Sequence, residues 1–131
     1  MPVAHGKRGG PVAWILLASA VLANVTSNVM FRCAMRSAPD LKDPVALFHF
    51  AFNPYLLTGF AACGALLVSY LLALREIGLM VSYAVVISLS LVGISLVSAI
   101  VLNEATSVRA FAGIGLIVVG IVLIVTSPAA A

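Results

Sequence analysis

Residues 77–102 read IGLMVSYAVVISLSLVGISLVSAIVL and contain no acidic or basic side chain. A bilayer core of ~30 Å is crossed by ~20 helical residues, so this stretch is long enough to span a membrane. Three further stretches share this property, roughly Pro11–Phe31, Pro54–Leu74 and Ala110–Thr126. All four are too long and too uniformly apolar for barrel strands, and a helix satisfies its own backbone groups within one apolar run. The sequence therefore predicts an all-α membrane protein with four transmembrane helices.

The composition excludes a soluble domain. The chain has 131 residues, of which 63% are hydrophobic and 8% charged, whereas ordinary globular proteins carry about 25% charged residues. We expect a single transmembrane domain over residues 1–131, with a mobile N-terminal tail at about residues 1–10. The net charge of +3 comes from few groups and does not indicate a nucleic-acid partner. Lys7 and Arg8 precede an apolar run that is longer than a signal-peptide core, so we expect no cleavable signal.

The first connection, from Arg32 to Asn53, contains a helix of its own. Asp43-Pro44 is typical of a helix start, with an acid at the N-cap and proline at the first helical position. The apolar run that follows ends at Phe52 and is too short to cross a membrane. We therefore expect a short interfacial helix, carrying an aromatic belt, between the first and second transmembrane helices.

The other two connections are shorter. Arg75-Glu76, closed by Gly78, predicts a tight hairpin between the second and third transmembrane helices. The last connection runs from Asn103 to Arg109.

Basic residues do not decide the orientation of the spans. With four spans both termini lie on one side, which carries Lys7, Arg8 and Arg75, while the other side carries Arg32, Arg36, Lys42 and Arg109. Because the Lys/Arg bias normally sets the topology, this near balance leaves two interpretations. Either other signals decide, or the chain inserts both ways and pairs antiparallel with itself.

The acidic residues all lie in connections or at the ends of spans. They are Asp40, Asp43, Glu76 and Glu104. An acid within the membrane is a common device for proton coupling or for holding a cation. Any polar pathway through these spans is therefore expected to be lined by amides, hydroxyls and aromatic rings.

Asn24, Asn28 and Arg32 recur every four residues in the first span and so share one helix face, with Ser27 beside them. An amide facing lipid is unfavourable, so this polar stripe should face another helix or a wet cavity. One interpretation is structural, with the amides bonding across a helix pair. The other makes them donors and acceptors for a polar head group, with Arg32 attracting an anion near the membrane surface.

The second and third spans carry further polar candidates. Tyr70 and Tyr83 either line a binding site or are packed in the core with satisfied hydroxyls. Ser88 and Gly93 lie in a serine-rich part of the third span, and serine beside glycine is a source of helix bends, so this segment is a candidate hinge.

The fourth span carries glycines at a helical spacing. Gly113 and Gly120 share one face, which permits close approach of another helix and predicts packing or dimerisation. His5 and His49 have no nucleophile or metal ligand at a plausible spacing, and Cys33 and Cys63 do not indicate a disulfide or a metal site. We therefore expect neither an enzyme nor a cofactor.

The spacing of these features resembles that of the small multidrug resistance proteins, four-helix members of the drug/metabolite transporter superfamily. The resemblance covers about residues 11–126. Its motifs are Ala23-Asn24-Val25 through Met30-Phe31-Arg32, Ser82-Tyr83-Ala84, Leu102-Asn103-Glu104, and Gly113 through Gly120. It implies a substrate chamber that Tyr83 faces, and a fold that works as a homodimer or as a heterodimer with a similar small membrane protein.

The chain also departs from that family's drug exporters. Their membrane-embedded glutamate corresponds to Asn24, a tryptophan of their third helix falls at about Val86, and a Gly-x-Gly becomes Ser88 and Ser90. The pattern is more similar to the acid-free branch that includes the aminoarabinose-lipid flippase subunits, which have an amide at the position of Asn28 and a basic residue at that of Arg32.

This resemblance implies movement of a polyprenyl-phosphate-linked sugar, or a similar anionic polar lipid, between leaflets of a bacterial inner membrane. Substrate contacts are then expected from Asn24, Asn28, Arg32, Tyr70, Tyr83 and Glu104. Two alternatives remain open. One is a multidrug-type exporter of small cations, which would need Glu104 or another form of coupling. The other is a non-transporting membrane partner of a protein such as a glycosyltransferase.

Overall fold

The computed structural model describes residues 9–40, 42–103 and 107–127. This part of the chain forms five helices and contains no strand. They are α1 (Pro11–Arg36), α2 (Pro44–Ala51), α3 (Pro54–Ala73), α4 (Leu79–Ile100) and α5 (Val108–Thr126). Four of them, α1, α3, α4 and α5, are long and apolar enough to cross a membrane. The prediction of an all-α, multi-pass membrane protein is confirmed.

Local sequence signals explain where the helices around the first connection begin. Proline occupies the first position of α1, α2 and α3, where its missing N–H would have no helical partner. The Asp43 carboxylate accepts from the N–H groups of Val45 and Ala46 at 3.0 and 3.3 Å. The Asn53 side chain accepts from the Tyr55 N–H at 2.9 Å and caps α3 in the same way. The predicted start of the short helix at Asp43-Pro44 is confirmed.

The first transmembrane helix is longer than predicted. It continues to Arg36, so Arg32 lies within α1 and the connection begins at Ser37. The prediction that the connection starts at Arg32 was wrong, because the following residues include alanine, methionine and arginine, which favour helix. The Arg36 guanidinium also donates to the Leu102 carbonyl at 3.1 Å, which ties the end of α1 to the end of α4.

Helix α1 lies between α3 and α4, and α5 packs mainly against α4. The connection between α3 and α4 is short, as expected, but these two helices make few contacts with each other within the described residues. The predicted tight hairpin was therefore wrong. The hairpin is spread because α1 occupies the space between its two arms.

Two glycines let α1 approach both neighbours closely. A Cβ added to Gly59 on α3 would lie 2.6 Å from ring atoms of Phe31, and one added to Gly93 on α4 would lie 2.8 Å from a methyl carbon of Val25. Side chains of α1 thus fill spaces that only glycine leaves open. Small residues at such contacts are typical of membrane helices, where close packing replaces the hydrophobic driving force.

The buried core is small and lies toward the N-terminal end of α1. It consists of Ala13, Leu17, Ala20, Ala73, Ile77, Val81, Val85, Val86 and Ile121. At this end the Glu76 carboxylate accepts from the Gly10 N–H at 3.2 Å, just before α1 begins. Most large apolar side chains of the spans are exposed, and α5 buries only Ile121 among its described residues. Their exposure is that expected of helices whose solvent is lipid.

Candidate functional site

The amides of the polar stripe contact each other within α1. The side-chain nitrogen of Asn28 donates to the backbone carbonyl of Asn24 at 2.8 Å and to its side-chain oxygen at 3.0 Å. The prediction that these two side chains share a face is confirmed. At about 1.5 Å per residue, Asn24 lies about 20 Å along α1 from Pro11, near the middle of this helix.

The stripe turns away from the packed face of α1. Steps of four residues advance by about 40° around a helix, so each member lies further round than the one before. Asn24 is half-buried, whereas Asn28 and Arg32 are exposed. A single chain therefore encloses only the first member of the stripe. The helix or wet cavity expected opposite the stripe stays a prediction for Asn28 and Arg32, whose side chains are exposed.

Tyr70 and Tyr83 line one open groove between α3 and α4. The groove has a volume of about 670 Å³, and its other lining residues, Leu79, Met80 and Ala84, are apolar. The Tyr70 hydroxyl is buried without a hydrogen-bond partner among the described residues, while the Tyr83 side chain is 59% exposed. The groove exists because α1 holds α3 and α4 apart.

These two groups of residues lie at different depths. The Gly10–Glu76 hydrogen bond places the start of α1 beside the α3–α4 connection, and Tyr70 lies about one turn before that connection. Arg32 lies about 33 Å along the chain of α1 from Gly10, one turn before the other end of this helix. The structure therefore brings Asn24 to Asn28 and Tyr70 to Tyr83, but separates Tyr70 and Tyr83 from Arg32.

Ser27 has a structural contact that its place beside the stripe did not predict. Its hydroxyl is buried and donates to the Gly59 carbonyl at 3.0 Å, which joins α1 to α3. The T-shaped contact between Phe31 and Phe60, with ring centroids 5.2 Å apart, lies one turn further along α1. Sequence reasoning missed this contact because nothing along the chain shows that Ser27 lies opposite Gly59, 32 positions away.

The proposed hinge lies in a continuous helix. Ser88 and Gly93 are both half-buried within α4, which runs unbroken from Leu79 to Ile100. Ser90, between them, is buried and its hydroxyl has no partner among the described residues. Gly93 lies against Val25 and so lets α1 and α4 pack closely. The hinge stays a prediction.

The other predicted residues lie at the edge of the molecule. A Cβ added to Gly113 or Gly120 on α5 would meet no atom of the described chain within 4 Å. Both residues thus remain available to a partner helix, and dimerisation stays a prediction. Glu104 and most of the predicted tail, residues 1–8, lie outside the described residues. Within the described ranges no group of His, Cys, Asp or Glu could hold a metal ion.

Fold and composition together define a class of protein, a small all-α membrane protein with four helices able to cross the bilayer. Comparison with protein-family models, curated proteins and solved structures finds no match. The resemblance to the small multidrug resistance proteins therefore stays a prediction from the sequence motifs.

Proposed function

We propose that the chain is a small bacterial inner-membrane transporter of the acid-free branch, moving a polyprenyl-phosphate-linked sugar or a similar anionic polar lipid between leaflets. The observation that carries this proposal is the hydrogen-bonded Asn24–Asn28 pair, in the middle of an apolar helix and continued by Arg32. Polar side chains within a membrane-spanning helix are rare and often mark a substrate pathway, so these amides are functional candidates.

The order of these residues along α1 suits an anionic head group. The Arg32 guanidinium, near the membrane surface, can bind a phosphate with two parallel hydrogen bonds. Sugar hydroxyls can then exchange hydrogen bonds with the amides of Asn28 and Asn24 while the hydrocarbon chain stays in lipid. Tyr70 and Tyr83 line the groove toward the other end of the molecule, where the exposed Tyr83 side chain can offer its hydroxyl to the head group as it leaves.

The exposure of Asn28 and Arg32 supports a dimer as the working unit. A second copy, or a similar small chain, would close the pathway along the exposed part of the stripe. Repeats related by an axis in the membrane plane commonly form substrate sites at their interface. Gly113 and Gly120 on the peripheral helix α5 offer a surface for helix–helix contact.

Reconstitution tests this proposal. Proteoliposomes containing a nitrobenzoxadiazole-labelled polyprenyl-phosphate sugar are treated with dithionite, which bleaches only label that reaches the outer leaflet. We expect the wild-type protein to expose the inner-leaflet label, Arg32→Ala to abolish this movement, Arg32→Lys to slow it, and Asn24→Leu to block it.

Thr26→Ala is the matched control, because Thr26 is exposed on another face of α1 and bonds only to the Leu22 carbonyl within its own helix. Wild-type protein that leaves the inner label unbleached would contradict the proposal. Equal rates for wild type, Arg32→Ala and Asn24→Leu would show that the stripe serves packing only.

A second candidate function is that of a non-transporting membrane partner, and the sparse packing of α5 favours it. An outer helix with one buried residue leaves most of its surface to another protein or to lipid. In that case purified protein moves no labelled lipid, while the same chain is recovered from membranes in a stoichiometric complex with a larger enzyme.

The multidrug-type alternative would require a role for Glu104, and Glu104→Gln tests it by export of a fluorescent cation.

A further inference from the structure

The short helix α2 has an exposed apolar face. Val45, Phe48 and Phe52 recur at three- and four-residue intervals and are 65, 66 and 65% exposed. The rings of Phe48 and Phe52 contact each other, with centroids 5.5 Å apart. Ala46 and Phe50, on the other side of α2, are half-buried. The most exposed apolar side chains of α2 therefore lie on one face, while Leu47, on another face, is 42% exposed.

The packing of the chain does not explain why α2 is helical. Helices shorter than ~12–15 residues are marginal in water, and α2 has 8 residues. None of its residues is buried, and it makes at most marginal contact with the long helices in the described part of the chain. The Asp43 cap helps the helix to start, but the apolar face needs a surrounding other than water.

The neighbours of α2 place it at a membrane surface. It is joined to α1, which ends at Arg36, and to α3, which begins at Pro54, and both of these helices are able to cross the bilayer. The Asn53 side chain donates to the Ser37 hydroxyl at 3.3 Å and closes the base of this connection. Helix α2 therefore lies at the side of the membrane where α1 ends and α3 begins.

We propose that α2 is a membrane-surface anchor whose Val45–Phe48–Phe52 face inserts into the acyl boundary of the adjoining leaflet, with Ala46 and Phe50 turned toward the protein. Helices that lie in the membrane surface bury phenylalanine and other apolar side chains ~5–10 Å into the boundary between head groups and acyl chains. A second protein is a poorer occupant, because three side chains supply well under the ~800 Å² per partner of a standard interface. The anchor fixes the depth of the adjoining ends of α1 and α3.

Fluorescence quenching in vesicles tests this proposal. In a Trp14→Phe background, which removes the only tryptophan, single tryptophans are introduced as Phe48→Trp and, as the matched control, Phe50→Trp. The proteins are reconstituted in phosphatidylcholine brominated near the carbonyl end or deeper in the chains. We expect blue-shifted emission from residue 48, quenched more by the shallow bromines than by the deep ones, and weaker quenching at residue 50.

Three outcomes would overturn the proposal. Emission at residue 48 that is quenched by iodide and not by brominated lipid would place the face in water. Blue-shifted emission that ignores bromine but depends on the protein-to-lipid ratio would place it against a second copy. Equal quenching at residues 48 and 50 would show that α2 does not turn its Val45–Phe48–Phe52 face toward the lipid.

Hydrogen exchange provides a second readout that does not use tryptophan. The double variant Phe48→Ser/Phe52→Ser should exchange the amides of residues 45–51 on the order of tenfold faster than wild type, because α2 loses its lipid contact and frays. Exchange in α1 and α3 should not change, which separates this effect from misfolding. Unchanged exchange in α2 would contradict the proposal.

Discussion

At the scale of single residues, Gly59 and Gly93 are constrained positions, because each faces a side chain of α1. Gly59 has no room for a Cβ because the Phe31 ring occupies that space, and the Gly59 carbonyl accepts the buried Ser27 hydroxyl. One residue therefore provides both a steric notch and a hydrogen-bond acceptor. Gly64 lies five residues further along α3, and a Cβ added there would meet no neighbouring side chain within 4 Å.

We expect Gly59→Ala to destabilise the protein by about 1–3 kcal/mol, because the new methyl group overlaps the Phe31 ring and forces α1 and α3 apart. The measurement is the free energy of unfolding in mixed detergent micelles. Gly64→Ala is the control, and it should be neutral or stabilising by up to about 1 kcal/mol, since alanine favours helix. Similar losses for the two variants would show that the Phe31 contact is unimportant.

At the scale of elements, the start of α1 and the end of α4 are each closed by a side chain from a distant part of the chain. Gly10, at the N-cap of α1, has no side chain to cap the helix, and Glu76 from the α3–α4 connection supplies a carboxylate there. A negative charge at a helix N-terminus is favourable because the backbone N–H groups and the helix dipole are positive at that end. Arg36 plays the complementary part at the end of α4, beside Asn103 with its φ of 49°.

Glu76→Gln should lower the free energy of unfolding by about 0.3–1 kcal/mol, because the amide keeps an acceptor but loses the charge that interacts with the start of α1. Added salt should lower the free energy of unfolding of the wild type toward that of the variant, because salt screens a charge at this exposed site. Arg75→Gln, a charge change at the neighbouring position, is the control and should have a smaller effect. A Glu76→Gln protein as stable as wild type at low salt would contradict this capping role.

At the scale of the whole molecule, the arrangement is an open series of spans rather than a closed bundle. Helix α1 is central, α3 and α4 flank it, and α5 packs mainly on α4. The stripe residues Asn28 and Arg32 are exposed on the outside of this arrangement. A Cβ added to Gly113 or Gly120 on α5 would meet no neighbouring helix of the described chain within 4 Å. Both surfaces favour assembly with a second small chain.

We expect Gly120→Ile to reduce the cross-linked dimer in native membranes, because the larger side chain prevents close approach of a partner helix along the Gly113–Gly120 face. Neither glycine has a described neighbour within 4 Å of an added Cβ, so the fold of one chain should tolerate the change. Gly115→Ile is the matched control on a different face of α5. Detection of monomers only, in wild-type membranes at native expression, would contradict the dimer.

The sequence by itself determined the properties that depend on neighbours along the chain. The spans follow from uninterrupted apolar runs, and the start of α2 follows from Asp43-Pro44, since helix formation and capping are local. The shared face of Asn24 and Asn28 follows from helix periodicity alone. The end of α1 at Arg36 was missed because helix propensity continued past the apolar run.

Only the tertiary structure decided which helices are neighbours. Residues 32 positions apart meet in the Ser27–Gly59 hydrogen bond, and the position of α1 between α3 and α4 creates the groove shared by Tyr70 and Tyr83. The spans are apolar on nearly every face, so their sequences carry no stripe that marks the packed side. In lipid the neighbours are instead chosen by the fit of small residues such as Gly59 and Gly93 against side chains of another helix, and that fit exists only in three dimensions.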